Sequence, residues 1–352
     1  MSLTLWGWDE AWEAVWRDGA HSGVPVRVVE EYRDRYRVTD GAGEHDAVLA
    51  GRLRYETAGD PTRLPAVGDF VAAAPGDPHR LEAVLPRRAV FERKAAGLTG
   101  VHQVAAANID VAFLVEAADR ELSVRRVERY LTLAYDGGVS PVVVVNKIDR
   151  CDDPEGRRWE AAAAAPGVPV HLVSAVDGRG LEDLAQYLGQ GATVGLLGLS
   201  GVGKSSLANA LAGGALQSTG TVRSDDGRGR HTTTRRSLLR LPGGACLMDT
   251  PGMREMGMIA AEDGLGQVFA DVAELAPRCR FADCRHSTEP GCAVLAGVDA
   301  GTLDPDRLEA WRKLEREMAY QARRDDVLLR AAERRLWARR TREYRASPQK
   351  KR

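Results

Sequence analysis

Gly198-Leu199-Ser200-Gly201-Val202-Gly203-Lys204-Ser205 is the stretch that decides the fold of this chain. An apolar run, Thr193-Val194-Gly195-Leu196-Leu197, enters it, and a helix-forming run from Ser205 to Leu211 leaves it. Strand, glycine loop and helix in that order make a P-loop, whose backbone N–H groups face nucleotide phosphates. Gly198 and Gly203 permit the tight turn, and the helix starting near Lys204 adds its positive end. Lys204 can reach the β- and γ-phosphate oxygens as a catalytic and binding group, and the Ser205 hydroxyl can ligate Mg2+.

A second nucleotide signature, Asn146-Lys147-Ile148-Asp149, comes earlier in the chain than the P-loop. It follows Pro141-Val142-Val143-Val144-Val145, a buried-strand run, at the carboxyl end where parallel sheets bind ligands. The Asp149 carboxylate can accept from guanine N1–H and the exocyclic amine, a donor pair that adenine lacks. The Lys147 stem can lie along the base, and Asn146 can tie this loop to the P-loop. Ser174-Ala175, after the strand-like Val170-His171-Leu172-Val173, supplies a backbone N–H for guanine O6. In ordinary small GTPases the P-loop precedes the guanine clamp. Here the parts are present in permuted order.

Asp249-Thr250-Pro251-Gly252 ends a predicted hairpin built from 238–241 and 245–248. Asp249 can hold Mg2+ through water, and the Gly252 N–H can sense the γ-phosphate. Upstream lies the loop Gly229-Arg230-His231-Thr232-Thr233-Thr234, in which one threonine, Thr233 or Thr234 among them, would reach Mg2+. Met253 follows where a Ras-like enzyme carries a water-orienting glutamine. His231 is the candidate substitute, since imidazole can position water; a solvated loop histidine is the competing reading.

Cys279, Cys284, His286 and Cys292 supply three thiols and one imidazole in a short span. Four such ligands satisfy tetrahedral zinc and leave no open position, so the site is expected to be structural. Cys151 and Cys246 are isolated, and no disulfide framework is expected.

Between Pro25 and about Ala95, five short runs (Val26–Val29, Tyr36–Val38, Ala47–Ala50, Asp69–Ala72 and Leu81–Leu85) alternate with Gly/Pro/Asp punctuation. They suit a small closed barrel, an OB-fold first and an SH3-like barrel second. Arg33, Arg35, Arg37, Arg52 and Arg54 lie on these strands and turns, where they serve equally as nucleic-acid contacts or as solvated faces. Before them, Trp8, Trp12, Val15 and Trp16 recur at helical spacing, as core against the barrel or as a partner-binding face. From about Asn108 strands alternate with helices, which implies a parallel sheet with both faces covered. Leu308, Trp311, Leu314, Met318 and Ala322 mark one face of a closing helix.

The chain has 352 residues and net charge −1, room for two or three domains. From Pro305 to Arg352 sixteen Lys and Arg face eight Asp and Glu, so this end carries +8 and the remainder −9. A basic end on an acidic body suits a polyanionic partner, or a solvated Arg-rich helix. Neither a secretory signal nor a membrane-length apolar run is evident, so a cytoplasmic location is expected.

These motifs together resemble one family, the circularly permuted ribosome-small-subunit-dependent GTPases, RsgA (YjeQ). The likeness rests on Ala107-Asn108-Ile109-Asp110, Asn146 to Asp149, Gly198 to Ser206, Gly229 to Thr234, Asp249 to Gly252 and the Cys279/Cys284/His286/Cys292 set. It implies an N-terminal OB-fold β-barrel, a central α/β P-loop GTPase domain with its motifs permuted, and a C-terminal, mostly helical zinc domain. The expected bounds are 1–24 for the amphipathic helix, 25–97 for the barrel, 98–260 for the GTPase domain and 261–346 for the zinc domain, with a disordered basic tail over 347–352. It also implies GTP hydrolysis stimulated by the 30S ribosomal subunit during its late maturation. The implied cofactors are GTP/GDP, Mg2+ and one structural Zn2+. The implied partners are the 30S subunit and 16S rRNA, with no DNA, no membrane and a monomeric state. A GTP-dependent RNA-binding module with negligible turnover is the competing class, favoured by Met253. The guanine clamp argues against a P-loop metabolic kinase.

Overall fold

The computed structural model describes residues 2–19, 21–32, 35–94, 102–214, 236–249 and 262–320. The punctuated N-terminal runs form β1 (Val24–Glu31), β2 (Tyr36–Thr39), β3 (Glu44–Leu49), β4 (Phe70–Ala74) and β5 (His79–Val84). β1 pairs with both β2 and β4, β3 runs parallel to β5, and β4 pairs with β5, so the five strands close on themselves. This pairing, with helix α1 (Glu10–Asp18) before the strands and α2 (Gly51–Glu56) between β3 and β4, is that of an OB-fold. Val26, Val28, Val38, Ala47, Val71 and Leu81 fill its interior. One placement differs from the sequence reading: Arg52 and Arg54 sit on α2, not on strands or turns. Arg33 lies outside the described residues.

The tryptophan stripe is core. Trp8 and Trp12 are buried against Phe70 and Leu85 of the barrel. Ring centroids of Trp12 and Phe70 are 4.8 Å apart, and burial of one such side chain contributes about 2 kcal/mol. Asp9 caps α1 by accepting from the Trp12 N–H at 2.8 Å. The Arg88 guanidinium grips both Asp9 oxygens at 2.6 and 2.7 Å and lies over the Trp12 ring. That grip holds the Asp9 carboxyl below the ordinary range.

A hairpin of β6 (Val90–Lys94) and β7 (His102–Ala107) leads into an alternating α/β region. Its elements are β8 (Val111–Ala117), α3 (Val124–Asp136), β9 (Ser140–Asn146), α4 (Pro154–Ala164), β10 (Val170–Leu172), β11 (Thr193–Leu197), α5 (Lys204–Leu211), β12 (Arg236–Arg240) and β13 (Cys246–Asp249). Strands β10, β9, β8, β11 and β13 are parallel in that spatial order, with β12 antiparallel beyond β13. β9 is buried from Pro141 to Asn146, as a strand covered on both faces must be. β12 also pairs with β1, so barrel and α/β region share one eleven-stranded sheet.

The C-terminal part packs α6 (Glu262–Val268) against α3, α7 (Ala270–Leu275) against α6 and α8 (Ala293–Asp299) against α7, with α9 (305–320) joined to α3 through Arg307 and Glu128. Arg307 ties these together, donating to Glu128 at 3.1 Å and to Asp271 at 3.0 Å while covering the Phe269 ring. Leu308, Leu314 and Met318 of α9 are buried, as their spacing predicts; Ala322 lies outside the described residues. Among the described residues no helix is long and apolar enough to cross a membrane.

Candidate nucleotide site and metal cluster

Three loops meet where the parallel strands end. The P-loop leaves β11, the Asn146–Asp149 loop leaves β9, and Ser174-Ala175 follows β10. Asn146, 1 % exposed, joins all three. Its amide nitrogen donates to the Val202 oxygen at 3.0 Å, and its amide oxygen accepts from the Ala175 N–H at 3.1 Å. The Asn146–Asp149 loop and the P-loop are therefore tied through one side chain.

Gly203 shows why the P-loop needs glycine. Its φ is +96°, and a Cβ there would lie 2.3 Å from the Asn146 amide nitrogen. Lys204 follows as the first residue of α5, buried, with its ammonium donating to the Gly198 and Leu199 oxygens at 2.5 Å each. The loop thus bends around its own lysine. Leu199, Ser200, Gly201 and Ser206 are exposed, Ser205 is half-buried, and Val202 is fully buried beneath the loop. The N-terminal, positive end of α5 follows directly on this loop.

On the base side, Lys147 has left-handed backbone (φ 67°) and its ammonium meets Asp119 at 2.8 Å. Lys147 in turn holds the Asp119 carboxyl below its usual range. Ile148 opens the 3-10 turn Ile148–Arg150. Asp149 accepts from the buried Ser174 hydroxyl at 2.8 Å, which fixes the rotation of its carboxylate. Ser174 itself accepts from the Val176 and Asp177 N–H groups. Asp119 and Ser174's hydroxyl role carry no sequence signature, since both depend on contacts between separate loops.

Asp249 is the last residue of β13. His231, Thr233, Thr234, Gly252 and Met253 lie outside the described residues.

Cys279, Cys284, His286 and Cys292 converge, with all four ligand atoms within 4.8 Å of one another. His286 Nδ1 is 3.5 Å from the Sγ atoms of Cys279 and Cys292, which are 3.8 Å apart. Tetrahedral zinc with Zn–S of about 2.3 Å and Zn–N of about 2.05 Å requires ligand separations of about 3.8 and 3.6 Å. The cluster fits zinc on that test. Cys292 also caps α8, its sulfur accepting from the Leu295 N–H at 3.4 Å. Glu289 accepts from the N–H groups of Arg285, Ser287 and Thr288 on either side of His286. These bonds, the one from Ser287 first, lower its carboxyl pKa to about 2.

A family model described as RsgA GTPase matches residues 84–259. The small ribosomal subunit biogenesis GTPase RsgA of Opitutus terrae is 45 % identical over 355 residues, covering 96 % of this chain and 95 % of its own length. Its counterpart in Streptomyces coelicolor is 44 % identical, covering 96 % and 93 %. Among solved structures, YjeQ from Thermotoga maritima superposes with TM-score 0.62 at 29 % identity, over 84 % of this chain and 98 % of that one. YloQ, a circularly permuted GTPase, shares the fold at TM-score 0.60 and 23 % identity, over 86 % and 97 % of the two chains. Permuted motif order, closed barrel and matched sequence agree, and the chain belongs to the RsgA GTPase family.

Proposed function

We propose that this GTPase serves small-ribosomal-subunit biogenesis, hydrolysing GTP to GDP and phosphate on the 30S subunit, with contacts to 16S rRNA and stimulation by the subunit. The single observation that carries the nucleotide assignment is Asn146 bonded at once to Val202 and Ala175. It supports a reading in which Asp149 recognises guanine while the P-loop N–H groups hold the phosphates.

Lys204 would exchange its loop carbonyls for β- and γ-phosphate oxygens, and the α5 N-terminus would add N–H donors. Mg2+ suits the hard oxygen donors of Ser205 and, through water, Asp249, where it would neutralise charge between the β- and γ-phosphates. His231 would orient the attacking water in place of the glutamine that Met253 does not supply. Zinc on the cysteine cluster would be structural, since four protein ligands leave no open position. The protein would act as a cytoplasmic monomer.

Met253 favours a second reading, a GTP-dependent RNA-binding module with little turnover. Phosphate release from GTP with and without purified 30S subunits separates the two. Slow turnover alone and a large increase with subunits support the enzyme; no increase at saturating subunits supports the module.

A further inference from the structure

Barrel strand β1 is bonded to the α/β region at two levels. At the lower level Arg27, 1 % exposed, donates to Thr193 Oγ1 at 2.9 Å, to the Asn108 oxygen at 3.3 Å, to the Gly68 oxygen at 3.2 Å and to the Trp6 oxygen. Thr193 opens β11, the strand that ends in the P-loop. At the upper level Glu30 and Glu31 are ladder partners of Ser237 and Arg236 on β12. Ser237 is also the ladder partner of Asp249 on β13. Glu30, Ser237 and Asp249 therefore form one transverse row across three strands, from the barrel to the residue expected at the magnesium ion.

We propose that β1 is a positioning element of the GTPase centre, acting through Ser237 on Asp249. The inference rests on the reading of Asp249 as a triphosphate-side residue. Adjacent backbones in a ladder move as a unit, because separating them leaves N–H and C=O groups unpaired. β12 has barrel on one side and Asp249's strand on the other, so a displacement of the barrel reaches Asp249 without crossing a flexible linker. Arg27, in the middle of β1, ties the same strand to Thr193 at the start of the P-loop strand, so β1 is joined to both β11 and β12. A ligand that shifts the barrel and a nucleotide that shifts Asp249 must then affect each other's binding by the same factor.

The test uses the full chain carrying Ser237→Pro, which removes the N–H from the row, and Ser237→Thr, which keeps it. Nucleotide affinity is expected within about twofold of wild type in both, since base clamp and P-loop are untouched. Ser237→Pro should lose about tenfold in 30S-stimulated kcat at unchanged KM, with Ser237→Thr restoring the rate. A folded Ser237→Pro protein with full stimulated kcat overturns the proposal. If Ser237→Pro does not fold, amide exchange on the wild-type protein decides. Exchanging GDP for a non-hydrolysable GTP analogue should change protection of residues 24–31 and 236–240 together. A change confined to 236–240 overturns it equally. A wild-type protein that does not bind GTP would instead sink the functional reading itself, which these outcomes leave distinguishable.

Discussion

The Asn146 side chain reaches the main-chain oxygen of Val202 at 3.0 Å, joining two loops that the permuted chain order sets far apart. Asn146→Ala would leave that oxygen and the Ala175 N–H without partners in a buried setting, at about 1–3 kcal/mol each. GDP and GTP affinities should fall together, by at least about tenfold, while ATP stays excluded. Titration with fluorescent nucleotides checks this; unchanged affinities would show that the loops are held by other means.

Asp149→Asn places an amide donor opposite guanine's donors. The carboxylate is held by Ser174 at 2.8 Å, so it is aimed before nucleotide arrives. GTP affinity should drop by about a hundredfold, the loss expected for a charge-assisted pair of hydrogen bonds, and preference over ATP should vanish. Competition of labelled GDP by GTP and ATP measures both; equal GTP and ATP binding by the wild type would end the assignment.

Freshly purified protein should carry one zinc per chain, measured by elemental analysis. Cys284→Ser should abolish it and loosen residues 279–292 without lowering nucleotide affinity. Glu289→Ala keeps all four ligands but frees the N–H groups around His286. Such outer-shell losses cost about tenfold or more in metal affinity, readable by chelator competition at neutral pH. Zinc affinity equal to wild type in Glu289→Ala would show that the loop is braced elsewhere.

His171 on β10 lies 3.0 Å from the Tyr187 hydroxyl, and burial holds its imidazole below the ordinary value of 6.5. The unfolded chain then binds a proton more readily than the folded one as pH falls through about 6.5. Stability from this residue is present above that pH and declines below it, until the folded-state value is passed. His171→Gln should show a smaller fall in melting temperature from pH 7.5 to 5.5 than wild type. Parallel melting curves would remove His171 from the pH response.

His231→Ala should lose most of the 30S-stimulated rate, about a hundredfold, with GTP affinity near normal, because the imidazole would act only in the transition state. The stimulation itself should weaken as salt rises from low to high, since an encounter with RNA would be partly electrostatic. Full stimulated turnover by His231→Ala would move water positioning to a ribosomal group or to the nucleotide.

The barrel strands and the parallel sheet were legible because short β-branched runs with Gly and Pro between them have few other readings. Glycines 198 and 203 signalled the P-loop, and the cysteine spacing signalled the cluster. What stayed hidden depends on contacts between distant segments. Arg27, inside the run Val26–Val29, is buried where four oxygens from separate parts of the chain converge on it. The helix that carries Arg52 and Arg54 is six residues long, too short for its period to show in the sequence. Glu289 bonds only to backbone N–H groups, which no side-chain pattern announces.

While the chain is being synthesised, the upper end of β1 lacks its β12 neighbour until Arg236 and Ser237 are made, more than half the chain later. An unpaired strand edge is a template for the wrong partner, including the same strand of another nascent copy. Glu30 and Glu31 stand on that edge. Two such edges paired parallel and in register would set Glu30 beside Glu30 and Glu31 beside Glu31, and like charges side by side oppose that pairing.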